Sequence, residues 1–331
     1  MEFIFDILTP YGITENTFQN MLIAAILGIS IYITLYAGLF SLANAGFMAT
    51  GAYVSVILTT RYEWDFLLAV IAGIIAAGLI SAVISVPVLR LSDIYLAIAT
   101  IGFGEILVVL LRNFDRIYEL IFNKEEIITG GATGIKGIPV ITTTEYLLLY
   151  LGIVVFLMVR LHRSRFGRAL VAIRQDKKVA ANMGINVVYY QNMAFILGAM
   201  IAGGAGALQG HLNRIILPEN YGFDRAVDIL TFAVLGGTTT IIGPIVGGFI
   251  IEYLPEILRR TDLVGLLGDI FGADFSRYQA NVRDMTVGMI LLGVIVFLPQ
   301  GIASPVMWRR IVNRVWKLFQ PADKTAEKSD A

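Results

Sequence analysis

One feature constrains this chain above all others: hydrophobic runs of about 20 residues, almost free of charge, recur along nearly its whole length. FLLAVIAGIIAAGLISAVISVPV, residues 66–88, holds no ionisable group at all. A lipid interior offers no partner to a bare peptide group, so such runs must satisfy their own backbone, and α-helices do so within each segment. A β-barrel would alternate polar and apolar residues in segments of about ten, a pattern not found here. The expected fold class is therefore all-α: a polytopic transmembrane helical bundle of about eight to ten spans with interrupted helices.

Composition removes the competing classes. Hydrophobic residues make up 57% of the 331 and charged residues only 15%, against roughly 25% charged in soluble domains. Net charge is zero, so no global field points to nucleic acid. The absence of cysteine excludes disulfides and thiolate chemistry. The two histidines, His162 and His211, stand far apart, and no metal site is expected.

Hydropathy places candidate spans at 17–40, 41–60, 66–89, 93–112, 143–162, 188–212, 227–243, 244–260 and 285–303. The opening MEFIFDILTPYG lacks a basic leader and breaks at Pro10, so residues 1–16 are expected to lie along the membrane surface, with the first span as an uncleaved insertion signal. Residues 17–303 are expected to form one transmembrane domain, including a basic loop at 163–187, and 304–331 a basic tail. Arg160, Arg163, Arg165, Arg168, Arg174, Lys177 and Lys178 stand against the single acid Asp176. Basic loops stay in the cytoplasm, so this loop and the tail are expected there. Counting spans outward then places 61–65, 112–142, 213–226 and 261–284 outside.

Glycine and alanine crowd 71–85 and 197–210, as in helices whose backbones approach closely. AGFMATGAYVSVI (45–57) and IGPIVGGFIIEYL (242–254) share a spacing, Gly46 to Gly51 and Gly243 to Gly248, followed by an apolar helix. Transporters use repeated halves with broken helices to frame a path, and the repeat reads either that way or as chance in glycine-rich spans. The run TGGATGIKGIP (129–139) fails the phosphate-cradling pattern, because Ile135 separates Gly134 from Lys136 and no hydroxyl follows. It is expected to be an ordered outer loop.

No nucleophile–base pair or metal cluster emerges, so no catalytic residue is assigned. Within the spans, Glu105 and Glu252 are the conspicuous ionisable residues. Each reads either as a structural hydrogen-bond partner or as a polar, proton-carrying site. Asn44, Thr50, Thr238, Thr239 and Thr240 gather at the two glycine-rich interruptions, where they either cap broken helices or face a solute. Along 166–183, Phe166, Leu170, Ile173, Ala180 and Met183 share one helical face, and Asp176 can cap a second short helix. An apolar stripe needs burial, against the membrane surface or against a cytoplasmic partner.

RFGRALVAIRQDKKVAANMGINV (165–187) resembles the cytoplasmic loop of the permeases of branched-chain amino acid ABC importers, the LivM-like branch. SLANAGFMATGAY (41–53), TIGFGEI (100–106), TGGATGIKGIP and VLGGTTTIIGPIVGG (234–248) follow the same family in the same order. The chain departs from it at Ala43-Asn44 and at Thr238-Thr239-Thr240. The resemblance implies that Arg165, Phe166, Gly167, Arg168, Ala169, Ile173, Arg174, Ala180 and Gly184 belong to a segment coupled to an ATPase. It implies that 41–53 and 235–248, with Asn44, Gly46, Thr50, Gly51, Glu105, Gly236, Gly237, Thr238, Thr239 and Gly243, flank a translocation path. It further implies a second related permease, two cytoplasmic ABC ATPases and an extracytoplasmic solute-binding protein. This chain itself would bind no cofactor, ATP residing on the partner subunits. Amino acids are the implied cargo, with urea, short amides or carboxylic acids as rivals in the same architecture. A proton-coupled transporter is the competing mechanism.

Overall fold

A computed structural model describes residues 13–91, 93–123 and 127–260, with isolated positions at 285, 288, 289, 292, 293 and 301. Residues 1–12 of the expected surface segment 1–16, the outer segment 261–284, the span 285–303 and the basic tail lie outside the described residues, the isolated positions apart; α1 already begins at Glu15.

The architecture is helical: α1 (Glu15–Tyr36), α2 (Asn44–Arg61), α3 (Phe66–Val88), α4 (Asp93–Phe122), α5 (Thr144–Arg163), α6 (Arg165–Gln175), α7 (Lys177–Asn182), α8 (Val187–Gly210), α9 (Phe223–Gly236) and α10 (Ile242–Arg260). Among the described residues, five helices are long and apolar enough to cross a membrane: α1, α3, α4, α5 and α8. Local chemistry sets their starts. Thr14 accepts from the Thr17 N–H, Asp65 from Leu67 and Asn186 from Tyr189, each satisfying a donor that has no partner inside its helix.

Contacts fix the relative directions. Gln19, early in α1, donates to Thr144 at the start of α5, while Tyr32 and Tyr36 meet His162 at the α5 end. Thr59, late in α2, bonds His211 just past α8, and Phe66 at the start of α3 packs on the same His211. One end of the bundle therefore gathers the basic segment with the 37–43 and 237–241 breaks. The other, far end gathers 61–66, 127–144 and 211–217. This alternation agrees with the span count above.

The core is glycine-packed. A side chain at Gly51 of α2 would overlap the Gly203 carbonyl of α8, and one at Gly206 would overlap the Met48 carbonyl. Backbone approach of this kind replaces hydrophobic drive, which does not operate between helices in lipid. α1 lies at the centre, with Leu22, Ile23, Ile26, Leu27 and Ile29 fully buried between α8 and α10. α3 instead turns Leu68, Ile71, Ile75, Leu79 and Val83 outward at helical spacing, an apolar stripe suited to lipid.

Two expectations are corrected. The span placed at 93–112 continues as helix to Phe122, because Arg112, Asp115, Arg116 and Glu119 lower hydropathy without interrupting the helix. It stops at Asn123, whose φ of 53° is left-handed. The run assigned to one span at 227–243 is α9, only 14 residues, followed by a turn. At 1.5 Å per residue it is about 21 Å long, short of a hydrocarbon core of about 30 Å. Before it, residues 212–222 return into the bundle, pairing Ile135 with Ile216 in a two-residue antiparallel ribbon, β1 (Ile135–Lys136) with β2 (Ile215–Ile216). Residues 127–143 are ordered through this ribbon and a tight turn at Gly131–Thr133.

Candidate functional site

The basic segment folds into two short helices at right-angle chemistry to the bundle's oil: each is capped by its own side chain. Ser164 Oγ accepts from the Gly167 N–H, and Asp176 accepts from Lys178 and Val179 at 2.8 and 3.0 Å. The lone acid of the segment thus starts α7, as its position in the sequence leads one to expect. Gly167 is required by packing, since a side chain there would overlap the Leu161 carbonyl. Gly184, with φ of 82°, ends the segment in a conformation few other residues adopt.

The apolar stripe of this segment finds its burial within the chain. Leu170, Ile173, Ala169 and Ala180 are buried, and α6 packs on α5, α8 and the end of α1. Phe166 is half-buried against Tyr190, ring centroids 5.3 Å apart. Neither a membrane surface nor a partner is needed to cover those residues, which corrects the earlier reading of the stripe. Met183, placed on the same face by periodicity, is 78% exposed, because Asp176 breaks the helix and turns α7 away. The exposed surface is mixed: Arg165, Arg168, Lys177 and Lys178 with Val179, Met183, Val188 and Tyr189. The last two and Val179 were missed in the sequence, since no helical face of a single α6–α8 run contains them all.

Arg174 ties the segment to both interruptions. Its guanidinium donates to the Thr238 carbonyl and to Thr238 Oγ1, each at 3.4 Å. Its Cα lies so near Gly38, where φ is 72°, that a Cβ on that glycine would stand 3.3 Å away. Gln191 of α8 adds a bond to the Ala37 carbonyl at 3.2 Å. The 37–43 and 237–241 breaks therefore meet the basic segment at one end of the bundle.

The residues expected to flank a path occupy three different places. Asn44 is buried and donates to Ser30 Oγ at 2.9 Å, while Thr50 bonds the Gly46 carbonyl at 3.0 Å. Gly46 faces Phe103 and Leu107 of α4, and Gly51 faces α8. These positions are taken up by helix packing in the single chain. Gly236, Gly237 and Gly243 form the tight α9–α10 turn, where Gly237 has φ of 98° and side chains at Gly236 or Gly243 would overlap the facing carbonyls. Thr238 contacts Arg174, and Thr239 is exposed beside it. Glu105 stands apart, accepting from the Phe223 N–H at 2.8 Å and so capping α9 from another helix.

That bond has a geometric consequence. Glu105 lies near the middle of α4, so α9 begins partway through the bundle rather than at its surface. The first turns of α9 carry Asp224, Arg225 and Asp228, with Arg225 and Asp228 3.8 Å apart. Glu252 of α10 lies within electrostatic reach of both. A recess of about 390 Å³, lined by Gln209, Asn213, Tyr221, Asp224, Arg225 and Asp228 among others, opens between the far end of α8 and α9. Sequence reading passed over these charges because the span was begun at 227, leaving Asp224 and Arg225 to an outer loop. The close trio in FDRAVDILTFAVLG was the available signal.

Apolar helices around a central glycine seam, with a short helix that begins partway through the bundle and a basic segment at one end, make a polytopic membrane protein. Residues 13–297 match the family model described as branched-chain amino acid transport system / permease component, and the chain belongs to that family. It is 29% identical over 311 residues to the high-affinity branched-chain amino acid transport system permease protein LivM of Salmonella typhimurium, covering 83% of this chain. LivM of Escherichia coli matches equally, at 29% identity and 83% coverage. The chain spans 66% of the length of those LivM proteins. The permease protein LivH of Methanocaldococcus jannaschii is 26% identical, over 89% of this chain and 91% of its own. No solved structure matches.

Proposed function

We propose that this chain is the permease subunit of an ATP-driven importer that carries branched-chain or other neutral amino acids into the cytoplasm across the bacterial inner membrane. Separate ABC ATPases supply the energy, a second related permease completes the membrane domain, and an extracytoplasmic binding protein delivers the solute. The observation that carries this reading is the basic segment: an exposed, capped pair of helices whose Arg174 reaches both helix breaks.

The mechanism follows from what each contact can transmit. The ATPases dock on the cationic surface of Arg165, Arg168, Lys177 and Lys178 and on exposed Val179 and Met183. Their closure displaces α6 and α7 together, because Leu170, Ile173 and Ala180 are seated in the bundle. The Arg174–Thr238 contact and the Gly38 approach pass that displacement to the ends of α1 and α9. The glycine-packed α2–α8 pair is bistable in position rather than soft, so it moves as a body. The breaks at 37–43 and 237–241 are the hinges, and access alternates around a path that α9 borders.

Purified permease pair and ATPases test this. Combined charge reversal, Arg168→Glu with Lys178→Glu, is expected to abolish ATPase association while the membrane bundle still purifies intact. Association at wild-type strength in that variant would refute docking at this segment.

A further inference from the structure

We propose that the recess between the far end of α8 and the first turns of α9 binds the charged backbone end of a zwitterionic amino acid. Arg225 takes the carboxylate, and Asp228, with Asp224, takes the ammonium. This deepens the transport reading above and rests on it.

The case starts from membrane energetics. An ionised side chain at mid-bilayer is costly to leave against lipid, so it must face protein or water. α9 nevertheless exposes Asp224 and Asp228 one turn apart, along the same face as Phe223, Val227 and Val234. The Phe223–Glu105 bond sets this face at the depth of mid-α4, where lipid would be intolerable to two carboxylates. That face must therefore meet water or protein, and the recess of about 390 Å³ at its foot offers the water-accessible space. The volume falls within the roughly 300–1,000 Å³ of small-molecule sites.

Its charges are of mixed sign and incompletely matched. The Arg225 side chain is only 18% exposed, yet its contact with Asp228 is a long 3.8 Å and engages one carboxylate oxygen. A guanidinium so placed has donors left for a second carboxylate, and planar paired recognition of that group is what guanidinium does best. Asp224 and the second oxygen of Asp228 can accept from an ammonium. Gln209, Asn213 and Tyr221 add neutral polar groups to the same lining. Behind it, the hydroxyl of Tyr53 is buried without a hydrogen-bond partner, and its ring packs edge-on against Tyr221, centroids 6.1 Å apart. An anion alone would be repelled by the acids and a cation alone by Arg225. The remaining acid of the lining, Glu219, is already paired with Arg112 at 3.0 Å, so a group bearing both charges a short distance apart satisfies Arg225, Asp224 and Asp228 together.

The chain has no cysteine, so in the reconstituted importer Asn213→Cys gives it a single thiol, whose label is read on this chain after the subunits are separated by electrophoresis. L-leucine is expected to slow modification of that cysteine by a small thiosulfonate, whereas 4-methylpentanoate and isoamylamine, each lacking one charge, leave the rate unchanged. In Asp228→Asn and in Arg225→Lys the leucine concentration giving half-protection should rise about tenfold, the scale of one charged hydrogen bond. The unprotected rate should stay at its original value, showing the recess still formed. Protection by leucine that is equal in all backgrounds, or none in vesicles that still take up leucine with ATP, overturns the recess site alone. Failure of vesicles holding the unsubstituted chain to take up any amino acid with ATP overturns the transport reading beneath it.

Discussion

The α2–α8 seam and the α6–α7 segment solve opposite problems with the same small residues. In the seam, Gly51, Gly203 and Gly206 let two backbones touch over several turns, and Asn44, Thr50 and Ser55 bond within the protein. In the segment, Gly167 and Gly184 shape the entry and exit of two short helices, and most polar groups face outward. The first arrangement resists deformation, since any displacement meets backbone. The second is held by a few seated side chains, two caps and Arg174. A bundle built this way moves as a unit when its basic arm is pushed.

That contrast is open to direct attack, and the heaviest blow falls on the seam. Gly206→Leu places a side chain on the Met48 carbonyl, where nothing flexible can yield. The expected cost exceeds the roughly 1–3 kcal/mol usual for overpacking, so folded protein recovered in detergent should fall to near zero. A Gly206→Leu chain purifying normally would show that the seam is looser than its geometry implies.

A weaker but more telling change is Arg174→Ala. The bundle and the ATPase complex should form, but ATP-driven uptake should fall about tenfold, the scale of a lost charged hydrogen bond, while ATP hydrolysis persists. Uptake and hydrolysis falling in parallel would mean that Arg174 serves docking rather than transmission.

Removing the cap at Asp176 should cost about 1 kcal/mol of local helix stability. Asp176→Ala is expected to raise amide exchange across α7 several-fold without altering exchange in α2 or α8. Smallest of all, Val83→Leu on the outward face of α3, 74% exposed, should change stability by less than about 0.5 kcal/mol. A larger shift would mark that face as covered by protein rather than lipid.

The features legible in the sequence were those fixed by neighbours a turn or two away. Long apolar runs gave α1, α3, α5 and α8, and Asp176 before a short helix announced its cap. Glycine and alanine crowding at 197–210 announced the close approach of α8, whereas Gly51, expected beside a path, packs in the seam. What escaped depended on distant residues. The start of α9 is set by Glu105, 118 positions earlier, and a span begun at 227 left Asp224 and Arg225 to a loop and parted them from Asp228. The extension of α4 to Phe122 was hidden because charge lowers hydropathy without ending a helix. The stripe of Leu170, Ile173 and Ala180 was seen correctly as a face, but its cover, the chain's own α5 and α8, is a tertiary fact. The tentative path residues were grouped by motif, and the fold separates them.

The account stands or falls on where the basic segment points and what meets it. Met183→Cys, in a chain otherwise free of cysteine, can be treated with a membrane-impermeant maleimide in right-side-out and inside-out vesicles. Labelling is expected only from the cytoplasmic face, and it should be suppressed when the ATPases are bound. Labelling from the outer face, or at a rate indifferent to bound ATPase, would contradict it.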